Sequence, residues 1–182
     1  LWDTKYAGKT AVIDDFHTAM SMVILEQGGQ DINTADPVEL AKVSARMTEL
    51  QQATSPKVTI AMYNELPLGQ IGLSQMWSGD IVNAIYYLPD GKSKEILNYW
   101  YPSDGKGMVD NDLMVVLSGG KCPVLAHLFI QFMLDQQNAL KNFGFIGYQP
   151  PQNALDPERL VEEGFVSANL KSATVLPEYF DV

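Results

Sequence analysis

Residues 71–80 read Ile71-Gly72-Leu73-Ser74-Gln75-Met76-Trp77-Ser78-Gly79-Asp80. Ile71, Leu73 and Gln75 alternate with Gly72, Ser74 and Met76, the period of two that marks a strand. That strand delivers Trp77 to its carboxyl end. Beyond it, Ser78 offers an N-cap for a helix, Gly79 lets the backbone approach closely, and Asp80 favours the first turn electrostatically. A strand that runs straight into a helix is the unit of an open α/β sheet, where ligands bind outside the carboxyl ends of strands. An aromatic platform beside helix N–H groups is binding equipment. The plainer alternative is that Trp77 packs under a loop.

The same alternation extends outward. Upstream, residues 10–13 form a short apolar run that reads as a buried strand, stopped by Asp14-Asp15. Phe16, Ala19, Met20, Val23 and Ile24 then recur at helical spacing, and Gly28-Gly29 end that helix. Asp36-Pro37-Val38-Glu39 is a helix start, with Asp36 as N-cap, Pro37 at the first position and Glu39 reaching back. Leu40, Val43, Met47 and Leu50 are its apolar stripe, and Ser55-Pro56 ends it. Residues 58–62 read as a strand and 64–69 as a loop.

Downstream, the helix from Gly79 runs to about Leu88, and Pro89-Asp90-Gly91 turns the chain. Residues 96–101 are a strand candidate, rich in aromatic and β-branched side chains. Residues 112–117, DLMVVL, read as the clearest buried strand. From Pro123 a helix follows with Val124, Leu125, Leu128, Phe129, Phe132 and Met133 inward, and a second helix over 136–143 ends at Gly144. Residues 146–151 read as an irregular loop, and 160–182 are weakly patterned. The order predicts an α/β fold with a mixed sheet.

Composition narrows the function. The 182 residues carry twelve basic and twenty-two acidic side chains, a net charge of −10. Nucleic-acid binding needs a basic footprint, which is absent. Cys122 is the single cysteine, so no intrachain disulfide forms, and His17 and His127 stand too far apart in sequence to suggest a metal pair. No apolar run approaches the roughly 18–20 residues of a membrane span. There is no G-x-S-x-G, no Walker A and no G-x-G-x-x-G motif. Asp14-Asp15 could form an acid/base pair, but adjacent side chains usually point in different directions, and the plainer reading is a strand end followed by a helix N-cap. Paired tyrosines can bind ferric iron, but Tyr86-Tyr87, beside Ile85 and Leu88, reads as helix core. His127 reads as structural and Cys122 as a small buried residue. Aromatics and acids at strand ends remain: Asp15, Trp77, Asp110 to Asp112, and Tyr148 in a loop. Such a set suits an organic cation, held by cation–π attraction worth about 0.5–2 kcal/mol per contact and by carboxylates. Nothing in it provides turnover or needs a cofactor.

Several segments occur here in one characteristic order: LWDTKYAGK, AVIDD opening a helix, DPVEL, MWSGD, YWYPSDG, NDLMVV, FIQFMLDQQNA and FGFIGYQPPQNA. In that order the chain resembles the extracytoplasmic solute-binding proteins of ABC importers, in their spermidine/putrescine-binding branch, from Leu1 to about Leu155. The resemblance implies two α/β lobes of the periplasmic-binding-protein type with a ligand cleft between them, and a membrane permease as partner. It implies that this is a truncated, C-terminal portion: residues 1–109 as the second lobe, 110–154 as hinge and remnant of the first, and 155–182 as the return to the second. Leu1 in place of an initiator methionine fits a processed or truncated product without its signal segment.

Residue by residue, Asp15 matches a carboxylate that holds a ligand amine, and Trp77 a tryptophan that packs on methylenes. Tyr148 matches a tyrosine lining the cleft. Thr18 stands where polyamine binders have a second acid. In the hinge, Val109 and Asn111 align with an aromatic and an acid, with Asp110 and Asp112 as neighbours. The expected ligand contacts are therefore Asp15, Thr18, Trp77, Asp110, Asn111 and Tyr148. The expected ligand is a polyamine or a similar small cation. Ferric iron, an anion or an amino acid on the same fold, and an enzyme or sensor reusing it, are the alternatives. Truncation further predicts weak ligand binding, an exposed apolar face on residues 112–117 and the helix after Pro123, and self-association through it.

Overall fold

The structure, a computed structural model, describes residues 1–150, 156–176 and 179. The end of the loop expected over 146–151, and the boundary expected at 154–155, lie outside the described residues. β1 (Thr10–Ile13) is buried along its whole length and forms the centre of a small sheet. β2 (Lys57–Thr59) and β3 (Leu73–Ser74) flank it in the order β2-β1-β3, both pairs parallel, with Val12 opposite Val58 and Thr10 opposite Leu73. Parallel neighbours need crossovers. α1 (Phe16–Glu26) and α2 (Pro37–Thr54) make the first, and α3 (Met62–Glu65) the second. The α/β class stands, but every described strand runs parallel, so the predicted mixed sheet is corrected to a small parallel one. No helix among the described residues is long and apolar enough to cross a membrane.

Local signals set the first half. Asp15 caps α1 by accepting the Thr18 N–H at 2.6 Å, and Asp36 caps α2 by accepting the Val38 N–H at 2.8 Å. Gly28, at φ +82°, follows the C-cap of α1. Arg46 on α2 pairs with Glu26 of α1 at 2.6 Å and with Glu49 at 2.7 Å, and its guanidinium lies 4.3 Å from the Trp2 ring centre. That stack ties the start of the chain to both helices. Phe16, expected inward, is exposed: it is the first residue of α1, and a helical side chain leans towards the N-terminus, here beyond the packed turns.

α4 (Ser78–Asn83) continues as a 3-10 turn over Ala84–Tyr87. Its N-cap is Trp77, so Ser78 is the first helical residue and makes no capping bond, contrary to the sequence reading. α6 (Gln136–Ile146) runs through Gly144 and ends only at Gly147, at φ +80°. Gly144 is kept for a different reason: a Cβ there would lie 3.3 Å from the Phe165 ring. The last carbonyls of α6 lack intrahelical partners, as at any helix end. Residues that follow α4's start supply them: Asn83 Nδ2 donates to the Phe145 carbonyl at 2.5 Å, and the Tyr86 hydroxyl to the Gly144 carbonyl at 2.7 Å. Tyr87 meets the edge of Tyr63, ring centres 5.1 Å apart. The paired tyrosines are therefore exposed side chains with separate jobs, and neither is helix core.

The weakly patterned tail supplies core. α7 (Pro157–Glu162), capped by Asp156, and a 3-10 turn over Ala168–Ala173 bring Leu160, Val166, Leu170 and Ala173 against Ile81, Val82, Ala84, Leu97 and Phe143.

Two predicted strands do not form. Residues 94–96 make a 3-10 turn capped by Ser93, and the extended stretch after it gives its carbonyls to side chains. Asn169 Nδ2 takes the Leu97 carbonyl at 2.7 Å and Ser172 Oγ the Tyr99 carbonyl at 2.6 Å. Residues 112–117 have no strand alongside them among the described residues, so an apolar run that reads as buried lies bare: Leu113 is 83% exposed. α5 (Pro123–Leu134) likewise buries no residue. Val124, Leu125, Leu128, Phe129 and Phe132 are exposed where helical periodicity placed them inward, and the helix rests on α6. The exposed apolar face agrees with the expectation attached to the resemblance. Cys122 is exposed, not buried, and His127 is an exposed residue whose Nδ1 lies 2.8 Å from the Pro123 carbonyl.

Candidate functional site

Because β1 and β3 are parallel, their carboxyl ends open on the same side of the sheet. There the starts of α1 and α4 border a wide open groove of ≈ 2130 Å³. All six sequence-derived candidates, Asp15, Thr18, Trp77, Asp110, Asn111 and Tyr148, line it.

Asp15 sits at the junction of β1 and α1. One carboxylate oxygen accepts the Thr18 N–H, and hydrogen bonding to the Thr18 side chain, with this N–H bond after it, holds the carboxyl below the usual aspartate range. It is therefore ionised at neutral pH. Thr18 serves Asp15 with both its side chain and its N–H, and its carbonyl accepts from Gln75 Nε2 at 2.8 Å. A carbonyl only accepts, which fixes the orientation of the Gln75 amide. Gln75 Oε1 is left buried with no hydrogen-bond partner.

Trp77 is 36% exposed at the mouth of β3, with its ring on the groove wall. Tyr148 follows Gly147 at the end of α6 and lays its ring across Gly79: a Cβ on Gly79 would stand 2.4 Å from the ring carbons. The close approach that the sequence assigned to Gly79 is thus made, and Tyr148 is what approaches. The Tyr148 hydroxyl donates to Asp80 Oδ1 at 2.7 Å. Tyr99 donates to the Met76 carbonyl at 3.3 Å, and its phenol is pushed up to about 12, mainly by burial. Asp110 accepts the neighbouring Asn111 N–H at 2.7 Å, a local turn contact on an exposed stretch. Asp112 lies close enough to Tyr148 to add to the upward shift of its phenol.

Three side chains at this place escape sequence reasoning: Gln75, Tyr99 and Asp80. Asp80 reads as a helix-start charge, and it occupies that position on α4. Its partner is a phenol 68 residues away, which no local pattern reveals. Burial raises the Asp80 carboxyl, and the Tyr148 hydroxyl pulls it back. The one available signal was Gly79, whose missing side chain implied an approaching group beside Asp80. Among the described residues no three His, Cys, Asp or Glu side chains gather as a metal site. The groove offers carboxylates, a phenol oxygen and aromatic faces, a chemistry suited to a cation with apolar segments.

The chain is similar to the putrescine/cadaverine-binding protein of Pseudomonas aeruginosa, with 27% identity over 173 residues. The match takes in 94% of this chain and 46% of that protein, so the chain spans about half the length of its relative. No protein-family model matches the chain, and no solved structure matches it.

Proposed function

We propose that the chain forms one side of the ligand cleft of a non-enzymatic solute-binding protein, which captures a polyamine or similar small organic cation for an ABC importer. The observation that carries this reading is that Asp15, Trp77 and Tyr148 all line one wide groove, Asp15 and Trp77 just beyond the carboxyl ends of parallel strands. Asp15 supplies a fixed negative charge, Trp77 a wall for methylenes, and Tyr148 a polar lining atom. The name of the relative supports the same ligand class. Asp110 and Asn111 are the proposed contacts for the far end of the ligand, with Thr18 bracing Asp15. Residues 1–109 are proposed as one lobe, 110–154 as hinge and part of the other, and 155–182 as the return. The working place is extracytoplasmic and the protein partner is the importer's permease.

Titration calorimetry with 1,4-diaminobutane tests the reading on the full-length protein. Binding is expected, weakened about tenfold or more by Asp15→Asn or Trp77→Ala, since each removes a charge-assisted bond or an aromatic wall. The 182-residue chain alone is expected to bind more weakly than micromolar. No heat from the full-length protein at millimolar ligand refutes the proposal.

The chain alone is also expected to self-associate. Leu113, Val115, Leu117 and the apolar side chains of α5 are exposed together. Between Asp112 and Asp135 only Lys121 carries a formal charge, so the acidic repulsion of the molecule arises elsewhere. Light scattering should show dimers growing with concentration. A monomer at every concentration counts against it.

A further inference from the structure

We infer that Asp80 is a positioning residue for Tyr148: by holding the phenol proton it makes the Tyr148 oxygen a fixed acceptor on the groove wall, which favours N–H donors and turns away carboxylate-bearing solutes. The inference rests on the cation-binding reading and narrows it.

The geometry runs from the outside in. Tyr148 lines the groove, whereas Asp80 stands behind it in the first turn of α4. A tyrosine hydroxyl has one hydrogen and two lone pairs. The hydrogen is committed to Asp80 Oδ1 at 2.7 Å, and no described residue donates to the phenol oxygen. Its remaining capacity is therefore acceptance alone. A carboxylate behind a hydroxyl also strengthens it as an acceptor, because hydrogen bonds in a chain polarise one another. The ring is held in place. It lies against Gly79, where no Cβ intervenes, and it follows Gly147, which is pressed onto the Gly79 carbonyl.

The electrostatic surroundings agree. The titratable groups that act on Tyr148 are Asp80, Asp112 and Tyr99, none of them a cation. Burial and Asp80 together raise the phenol, so the proton stays on Tyr148 and is held towards the carboxylate. A ligand ammonium meets acceptors from the wall and from the extended segment carrying Asp112. A ligand carboxylate meets the same acceptors and is repelled.

Lysine and 1,5-diaminopentane differ by one carboxylate and make the probe pair. The experiment uses the full-length protein with Asp80→Asn, Tyr148→Phe and the double variant, and Asp80→Glu as a second carboxylate placement should Asp80→Asn fold poorly. Two readouts are taken: alkaline ultraviolet titration of the phenols, which needs no ligand, and calorimetry with both probes. In Asp80→Asn one phenol is expected to titrate at lower pH, and that change is expected to vanish when Tyr148→Phe is added. Each single variant should weaken 1,5-diaminopentane binding about tenfold, and the double variant should be no weaker than the worse single, since the two act as one unit. Preference for the diamine over lysine should narrow in all three. An unchanged phenol titration in Asp80→Asn overturns the inference, and so do losses that multiply in the double variant, which would mark Asp80 as an independent contact. A wild-type protein that binds no diamine overturns the cation reading and the acceptor role with it.

Discussion

Gly147→Ala is expected to destabilise the fold by about 2–5 kcal/mol, the sum of a left-handed backbone penalty and overpacking. Gly147 sits at φ +80°, where an L side chain is strained whatever the space around it. Its Cβ would also stand 2.2 Å from the Gly79 carbonyl oxygen and 3.1 Å from the Asn83 amide nitrogen. Both are backbone atoms of α4, and neither can rotate aside. The only relief is separation of α6 from α4, which releases the Asn83 and Tyr86 bonds and carries Tyr148 away from Asp80. Urea unfolding measures the loss, and a midpoint unchanged from wild type would refute the packing described. Gly79→Ala makes the contrast: it meets the Tyr148 ring, a side chain that can swing. Stability should fall less there, while the Tyr148–Asp80 bond is lost as completely.

Phe143→Ala is expected to cost about 3–5 kcal/mol, the range for emptying a buried aromatic site. Phe143 is 2% exposed at the meeting of α4, Leu97, α7 and the last 3-10 turn, with Phe165 6.1 Å away between ring centres. Neighbours from four separate segments cannot all collapse onto the gap. Phe132→Ala, one helix earlier, should leave stability within about 0.5 kcal/mol, the usual range for surface substitutions. Its ring is exposed on α5. Equal losses in the two variants, at protein concentrations low enough to keep the chain monomeric, would mean that α5 is packed within the chain, contrary to the structure. The denaturant dependence should keep the wild-type slope in both, since neither changes the surface exposed on unfolding.

What the sequence disclosed and what it withheld divide along a physical line. Asp15 and Asp36 were legible as caps because a cap and its target N–H lie two or three residues apart. The strand Thr10–Ile13 was legible because a central parallel strand is apolar on both faces. Residues 112–117 are also apolar in the main and form no strand, because a strand is a property of a pair and no described strand lies beside them. The periodicity of α5 was real and its burial was not, for the same reason: a stripe says which side would be covered, never that something covers it. Two glycines, Gly144 and Gly147, stand three apart near the end of α6, and only the approach of α4 decides which of them must be left-handed. The family resemblance and the strand-end rule point to Asp15, Trp77 and Tyr148, which line the groove. They do not point to Asp80, Gln75 and Tyr99, since each acquires its partner by tertiary contact.

The side-chain ties between α4 and α6 bear on the order in which the molecule assembles. Asn83 and Phe145 are 62 residues apart, Tyr86 and Gly144 58, and Asp80 and Tyr148 68. None of these bonds can form until a loop of that length has closed, and loop closure must be met before such contacts repay it. The sheet, too, is joined by crossovers. Local turns and the α1–α2 pair can form early, whereas the wall that carries Tyr148 waits for α6 to arrive. The chain thus completes its groove wall late in folding, and until then it exposes the apolar segments that surround it to any other unfinished copy nearby.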